Sequence, residues 1–518
     1  MAIPLLFMRT SPRTPDSYSL PKELILHAIA MVAGVVTVLR TRSRGRAVEA
    51  CIALGLVVSV ISAVFAAQNP WWAVRAVGLT WSIGLVFWCS RQLRSDRARG
   101  FVMASAMLGV LALAVLVLLE AHGLIPTISM SGRAPGGPGG NRNFTAHLLV
   151  LSLPLLFVAL LTESSRARRA LAAVAFSAAL AAVVVSRCRG AWMATLATGV
   201  VIVITMILFR VKATPTRYLL AAFVIFVGTL LGGISTRTHA GQVGPSGDAS
   251  LADTLVRIGD YQTGTGRGRL IQYRTTLAMI AERPWFGVGP GNWSVGYPAH
   301  AGPEDPSFNA AAAQPVNRLP SSDLLGLVAE RGLLFGVIVM AGLFAFLWDI
   351  AHRLRGPGVS RAPVVVAIGT ASAALAMGLV DAVVMRVEPA FFVAVVLGLL
   401  VPARETLQPT RNSSRFAQIA AASSVVVVGA ALGLQAFASA RALRLAERNT
   451  ARALAAAFQL DPGNFVLAGR AALRHAALGK CEEARALASV AKRYQPRAPD
   501  ATEALSVCAQ TLRGDVAR

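Results

Sequence analysis

The sequence predicts an all-α, polytopic membrane protein of about twelve transmembrane helices, and two observations predict it. First, 55% of its 518 residues are hydrophobic and only 14% are charged, with a mean hydropathy of +0.59, so a soluble core of this length cannot hide its apolar surface. Second, stretches such as 101–119, 218–235 and 363–380 run nearly free of charge for about 18 residues or more, enough to cross roughly 30 Å of hydrocarbon as helix. One such stretch fits a buried helix in a large soluble protein. A dozen do not.

The apolar runs place helices at 23–39, 48–67, 73–90, 101–120, 144–162, 170–186, 191–209, 218–235, 323–348, 362–382, 389–403 and 416–440. Alternate loops carry Arg40/Arg42/Arg44/Arg46, Arg91/Arg94/Arg97/Arg99, Arg166/Arg168/Arg169, Arg210/Lys212/Arg217, Arg353/Arg355/Arg361 and Arg404/Arg411/Arg415, twenty cations in all. The other short loops hold six: Arg75, Arg133, Arg142, Arg187, Arg189 and Arg386. This bias puts the first set in the cytoplasm, and with it the long segment 236–320 and the C-terminal tail on the other side. Arg9, Arg13 and Lys22 oppose the pattern at the N-terminus. The net charge of +25, which in a soluble chain suggests nucleic acid, is therefore spent on topology. Residues 1–8 are too short an apolar run for a cleavable signal, and Arg9 interrupts them, so the first helix is expected to direct insertion.

Four units follow: helices over 1–235, a large outward loop over 236–320, further helices over 321–440, and a tail over 441–518. The tail turns Ala-rich and amphipathic, as helical hairpins do. Within it "AFQLDPGNFVLAGRAALRHAALGKCEEARALASVAKRYQP" resembles a tetratricopeptide repeat. Pro462 and Pro496 stand about one 34-residue period apart, with Gly479 at the inter-helix turn and Ala484 at a close approach. An unrelated helical hairpin is the alternative. Either way so few helices cannot bury a core alone, and the tail is expected to dock. The five cysteines, Cys51, Cys89, Cys188, Cys481 and Cys508, have no metal-binding spacing. Cys481 and Cys508 share the tail and would pair in an oxidising compartment.

Three outward segments hold polar residues that topology does not require. In "GRAPGGPGGNRNFTAH", residues 132–147, the glycines permit close backbone approach, while Asn141, Arg142 and Asn143 offer donors at a helix start; a flexible loop with an Asn cap is the alternative. In "SRCRGAW", Arg187 and Arg189 sit in a very short turn against the charge bias, which suits either an anionic partner at the surface or snorkelling to lipid phosphate. In "TGRGRLIQYRTTLAMIAERPWFGVGPGNWSVGYP", Arg269, Tyr273 and Leu277 fall on one helix face, and Pro284 with Gly287, Gly289 and Gly291 ends the helix in a compact turn. Arg267, Arg269 and Arg274 form a cationic cluster, and a guanidinium fork binds two phosphate oxygens at once. No strand precedes the glycines and no P-loop Lys follows, which argues against a nucleotide loop.

With these segments in hand, "GNRNFTAHLLVLSLPLL", "SRCRGAWMATL", "GRLIQYRTTLAMIAERPWFGVGPGNW" and "SSDLLGLVAERGLLFG", in that order over roughly residues 130–350, resemble the O-antigen ligase and polymerase superfamily. The resemblance implies a metal-independent, membrane-embedded glycosyltransferase without a cofactor. It would move a glycan from an undecaprenyl-diphosphate carrier to a glycan or lipid A-core acceptor at the periplasmic face of the bacterial inner membrane. It further implies that Arg residues hold the diphosphate. Arg189 matches the Arg of the family's "SRGA" motif, Arg269 the Arg four places before an aromatic, and Asn143 the Asn of "NRN". Arg142 and Arg274 flank these as further diphosphate contacts.

One departure bears on the chemistry. Where the family reads "HNxYLQLLAExG", this chain has "SSDLLGLVAE", with Ser321 at the His position and Ser322 at the Asn position. A hydroxyl that does not titrate near neutral pH cannot replace an imidazole base. Asp323 at the helix mouth is the expected substitute, with His300 in the same loop as a second candidate; the plainer role for Asp323 is in holding the helix end. Ligase and polymerase are not separated by these motifs. Two other classes stay open: a transporter, for which His27 and Asp381 are the ionisable candidates, and a non-catalytic scaffold whose tail recruits protein partners.

Overall fold

The computed structural model describes residues 3–10, 14–40, 47–130, 132–238, 262, 264–303, 305–306, 308–309, 314–315, 318–355, 360–402 and 415–516, so all of 239–261 and, of the cations counted above, Arg13, Arg42, Arg44, Arg46, Arg404 and Arg411 lie outside the described residues. Its regular structure is helical apart from a two-residue antiparallel pairing of Phe308–Asn309 with Gln314–Pro315. The apolar runs become α1 (Pro15–Arg40), α2 (Ala47–Ala66), α3 (Pro70–Gln92), α4 (Asp96–Ala121), α5 (Arg142–Thr162), α6 (Arg166–Ser186), α7 (Arg189–Leu208) and α8 (Pro215–Thr238). After α9 (Gly264–Glu282) in the long loop come α10 (Asp323–Leu354), α11 (Ala362–Gly378), α12 (Val387–Leu400) and α13 (Arg415–Ala446). Among the described residues ten of these are long and apolar enough to cross a membrane, while α11 and α12, with 17 and 14 residues, are shorter. The expected all-α, polytopic membrane fold is observed.

α5 is the central post, with 89% of its apolar window buried against 17% for α13. Its neighbours α4, α6 and α11 share the largest apolar cluster with it. Lipid gives helices no hydrophobic reason to associate, so close backbone approach has to do it. On α8, Gly228 and Gly232 form a small-xxx-small pair; a Cβ on Gly228 would meet the carbonyl of Ser177 at 2.8 Å, and one on Gly232 would meet Cβ of Val184 at 2.6 Å.

The glycine-rich segment before α5 is packed. Glu120, buried at the end of α4, accepts from the N–H groups of Ile128 (2.8 Å), Ser129 (2.9 Å) and Gly137 (2.6 Å) and from Ser129 Oγ (2.8 Å). Tyr18 donates to the carbonyl of Ile128 (2.5 Å), and its ring would lie 2.7 Å from a Cβ on Gly140, whose φ of +75° suits glycine. Lys22 is buried inside α1, donating to the carbonyl of Pro138 (2.9 Å) and pairing with Glu388. It is therefore a structural partner and drops out of the loop-charge count that it opposed.

α10 breaks at Gly332, whose φ of +83° and ψ of 171° are not helical. The break frees backbone groups, and the loop takes them up: Val288 N–H donates to Ala329 O, Gly289 N–H to Glu330 O, and Leu333 N–H to Pro284 O. The compact turn of Gly287, Gly289 and Gly291, with φ of +65°, +96° and +69°, is thus seated on the broken helix.

Beyond α13 the tail forms α14 (Ala451–Leu460), α15 (Phe465–Ala477), α16 (Cys481–Tyr494) and α17 (Pro499–Val516). Gly479, at φ +73°, turns the chain between α15 and α16. Ala468, Ala472 and Ala476 of α15 pack in one cluster with Ala484, Ala488 and Ala491 of α16. Cys481 and Cys508 are joined in a disulfide with a Cα–Cα distance of 5.4 Å.

Candidate active site

Polar side chains converge where α5, the α6–α7 turn, α9, α10 and the α11–α12 loop meet. Asp381, in the loop after α11, has Oδ2 at 3.5 Å from His147 Nε2 and 3.9 Å from Arg269 Nη2, while its Oδ1 accepts the N–H of Ala382 at 2.9 Å. Arg386, five residues on, lies over the Phe144 ring at 3.4 Å from the centroid, with Nη2 3.9 Å from Glu388 Oε2. Burial pulls the Arg386 guanidinium below its ordinary range, and Glu388 and Asp381 pull it back up. Two buried nitrogens here, Arg386 Nε and His147 Nδ1, lack a hydrogen-bond partner among the described residues. Buried polar groups are nearly always satisfied, so such a pair marks a place suited to a ligand.

Asp323 holds this loop. Its Oδ1 accepts from Val383 N–H (2.9 Å) and Met385 N–H (3.2 Å) and its Oδ2 from Val384 N–H (2.9 Å). A Cβ on Gly378 would meet Oδ2 at 2.7 Å. With both oxygens engaged by backbone, the base role expected of Asp323 is at a physical disadvantage beside the more open carboxylate of Asp381. Ser322 caps α10, with Oγ accepting from Leu325 N–H, and also donates to Gly378 O. Ser321 N–H donates to Gln272 Oε1 at 2.5 Å. Tyr273 anchors α9 to the same loop end through its hydroxyl, which donates to Leu379 O at 2.8 Å.

The remaining sequence candidates divide. Arg269 joins the cluster. Arg142, in the first turn of α5, stands within electrostatic reach of Arg133, Arg187 and Cys188, and Cys188 in turn within reach of Asp381 and Arg269. Burial pushes the Cys188 thiol up, so it is neutral. Asn143 follows Arg142 in that turn, its N–H capped by Asn141 Oδ1 (3.0 Å). Arg189 opens α7 beside Cys188, half-buried. Arg274 is exposed, five residues past Arg269 and so about 140° round the helix from it; Arg267 is exposed as well. The cationic cluster expected on α9 is thus split. His300 lies apart, its Nε2 2.8 Å from Glu282 Oε2, and that bond holds the Glu282 carboxyl below its ordinary range. His27, midway along α1, is buried against Ser82 Oγ of α3 at 2.7 Å, whereas Asp381 lies beyond the end of α11 rather than mid-helix.

His147, Phe144 and Arg386 were absent from the sequence candidates. A signal existed for two of them: His147 falls four residues after Asn143 on the same helix face, and "GLVDAVVMRVEP" interrupts an apolar region with three charges of mixed sign.

Beside this cluster opens a cavity of about 620 Å³. Phe144, Arg386 and Glu388 line it, as do Asp16, Glu23, Trp72, Arg75 and Arg318. Its remaining walls are mostly apolar, including Ile52, Leu56, Phe335, Ile338, Phe346 and Leu397. Along α3 its lining runs from Trp72 to Phe87, roughly 22 Å at 1.5 Å per residue, most of the hydrocarbon thickness of a bilayer.

Fold and site together define a polytopic α-helical membrane protein with a cationic site beside an apolar slot. Residues 155–341 match the family model described as O-antigen ligase, which supports a place in the O-antigen ligase superfamily. No curated protein matches the chain. The matched span includes Arg189, Arg269, Arg274 and Asp323, whereas His147, Asp381 and Arg386 lie outside it.

Proposed function

We propose that this protein transfers a glycan from an undecaprenyl-diphosphate carrier to an acceptor hydroxyl, as an O-antigen ligase, at the periplasmic face of the bacterial inner membrane. The observation that carries the reading is that Arg386, beside Asp381 and Arg269, also lines an apolar slot that runs most of the thickness of a bilayer's hydrocarbon core. A polyprenyl chain lies in the slot with its diphosphate at the charged end. Arg269, Arg386 and Arg142 hold the diphosphate, with Arg189 and Asn143 at the neighbouring helix starts.

In the transfer, the acceptor oxygen bonds to the anomeric carbon, and the bond from that carbon to the diphosphate oxygen breaks. The diphosphate leaves with the electron pair, and the hydroxyl proton passes to Asp381. Guanidinium groups stabilise the charge that grows on the leaving group, the role that electrostatic preorganisation plays at its largest. Asp381 takes the place of the imidazole missing at Ser321, with His147 and Arg269 fixing its orientation, and Asp323 positions the loop that carries it. The outward orientation rests on the loop charges, and the Cys481–Cys508 disulfide agrees with an oxidising compartment. The tail is read as tetratricopeptide-like hairpins and the lipid A-core as the acceptor.

A gel of surface glycan from a deletion strain tests this. Loss of a ligase leaves long carrier-linked polymer and none on the acceptor; loss of a polymerase leaves single repeat units there. Wild-type chain restores the pattern, and Arg269→Ala, present in the membrane at equal amount, does not. Near-normal glycan with Arg269→Ala overturns the proposal, and an unchanged pattern on deletion favours a transporter or scaffold.

A further inference from the structure

The C-terminal tail does dock, and it docks on the cavity. Asn69, fully buried between α2 and α3, is the junction. Its Nδ2 donates to Gly463 O of the tail at 2.8 Å, its N–H donates to Asn292 Oδ1 of the long loop at 2.7 Å, and its Oδ1 caps α3 at Trp72 N–H, 3.2 Å away. Gly463 has no spare room, since a Cβ there would lie 2.7 Å from Cβ of Trp71 and 2.8 Å from Asn69 Oδ1. Phe465, two residues on, packs on Trp72 with ring centroids 5.4 Å apart.

Trp72 lines the cavity, and the guanidinium of Arg318 lies 5.7 Å from its ring centroid. Arg318 also donates to Asp16 Oδ2 at 2.5 Å. Arg318 and Asp16 line a second, small cavity on the tail side together with Asn464 and Arg470, so this ion pair is the partition between tail and slot. Gln435 of α13 donates to Trp71 O at 3.1 Å, which ties the approach to the tail to the same segment.

We infer that the turn Asp461–Phe465 is a positioning element of the carrier cavity: through Asn69 and Trp72 it holds Arg318 and Asp16 at the cavity wall, and so sets affinity for the lipid-diphosphate donor. The inference rests on the proposed function for the identity of that donor and on the contacts alone for the positioning. An aromatic pair and a buried amide hydrogen bond on a lining residue fix a side chain that touches substrate, whereas the same contacts on a lipid-facing surface would only hold the tail in place.

The test uses the full chain in lipid nanodiscs with a synthetic lipid-diphosphate-linked glycan. Phe465→Ala and Gly463→Ala raise the donor KM about three- to tenfold, the range an aromatic pair contributes, with kcat little changed. Phe465→Tyr, which keeps the ring, restores the wild-type KM. The double variant Cys481→Ser/Cys508→Ser loosens the tail away from the junction and leaves KM unchanged. Should Phe465→Ala leave KM unaltered, or raise it no more than the double serine variant does, the inference is overturned. If the wild-type chain transfers nothing from this donor, it is the functional reading that fails. Amide hydrogen exchange over residues 69–76 then decides the positioning role by itself: Phe465→Ala speeds it and the double serine variant does not, and equal exchange in both overturns the inference.

Discussion

His147 Nε2 lies 3.5 Å from Asp381 Oδ2, and Arg269 Nη2 reaches the same oxygen at 3.9 Å. One carboxylate oxygen therefore answers to a buried imidazole on α5 and to a guanidinium on α9, two elements more than a hundred residues apart in the chain. The substitution Asp381→Asn keeps the shape and removes the base, so kcat should fall by about 100- to 10,000-fold while donor binding is retained. Turnover in nanodiscs alongside donor binding separates the two, and an Asn variant with normal kcat rules out the base role.

Asp323 is predicted to act through the loop. Losing its carboxylate abandons three backbone N–H groups, at about 1.5–3 kcal/mol for each hydrogen bond to a charged group. Asp323→Ala should lower the melting temperature in detergent and take turnover with it. A variant with unchanged melting temperature and no turnover would point instead to direct chemistry at Asp323.

Gly332→Ala should prevent accumulation of folded protein. A Cβ there would lie 1.9 Å from Trp285 O at a backbone φ of +83°, and relief would require giving up the bonds that seat the loop on Ala329, Glu330 and Leu333. The cost belongs to the tail of mutational effects, above about 4 kcal/mol. Membrane fractions probed for the full-length chain provide the check, with Gly199→Ala, where an added Cβ meets nothing within 4 Å, as the tolerated control.

The disulfide closes a separation of 27 residues, which in the chain-entropy account stabilises the tail by about 3.5 kcal/mol. Cys481→Ser/Cys508→Ser should leave α16 and α17 cut early in limited proteolysis while the membrane helices resist. In intact spheroplasts an impermeant thiol reagent should label the wild-type tail only after reduction. Labelling without reduction would contradict the bond, and none after reduction would contradict an outward tail.

Hydropathy and loop charge were enough to determine that the chain is a bundle of apolar helices, and to place each of the twelve within several residues, because the length of a span is set by the bilayer and not by its neighbours. The same holds for the helix bearing Arg269 and the glycine turn after it, whose conformations are local. Three things were decided only by the tertiary structure. Arg274 and Arg269 look like one cluster in the sequence and lie on different faces of one helix. Asp323 looks like a free acid and is bound by a loop sixty residues away. His147, Asp381 and Arg386 look like isolated polar residues in separate apolar runs, and meet because α5, α11 and α12 pack side by side. Solvation is read residue by residue along a chain, but the company a charge keeps depends on which helices touch, and that is settled by backbone approach at small residues and by the buried Glu120, Lys22 and Asp323 that tie the loops down.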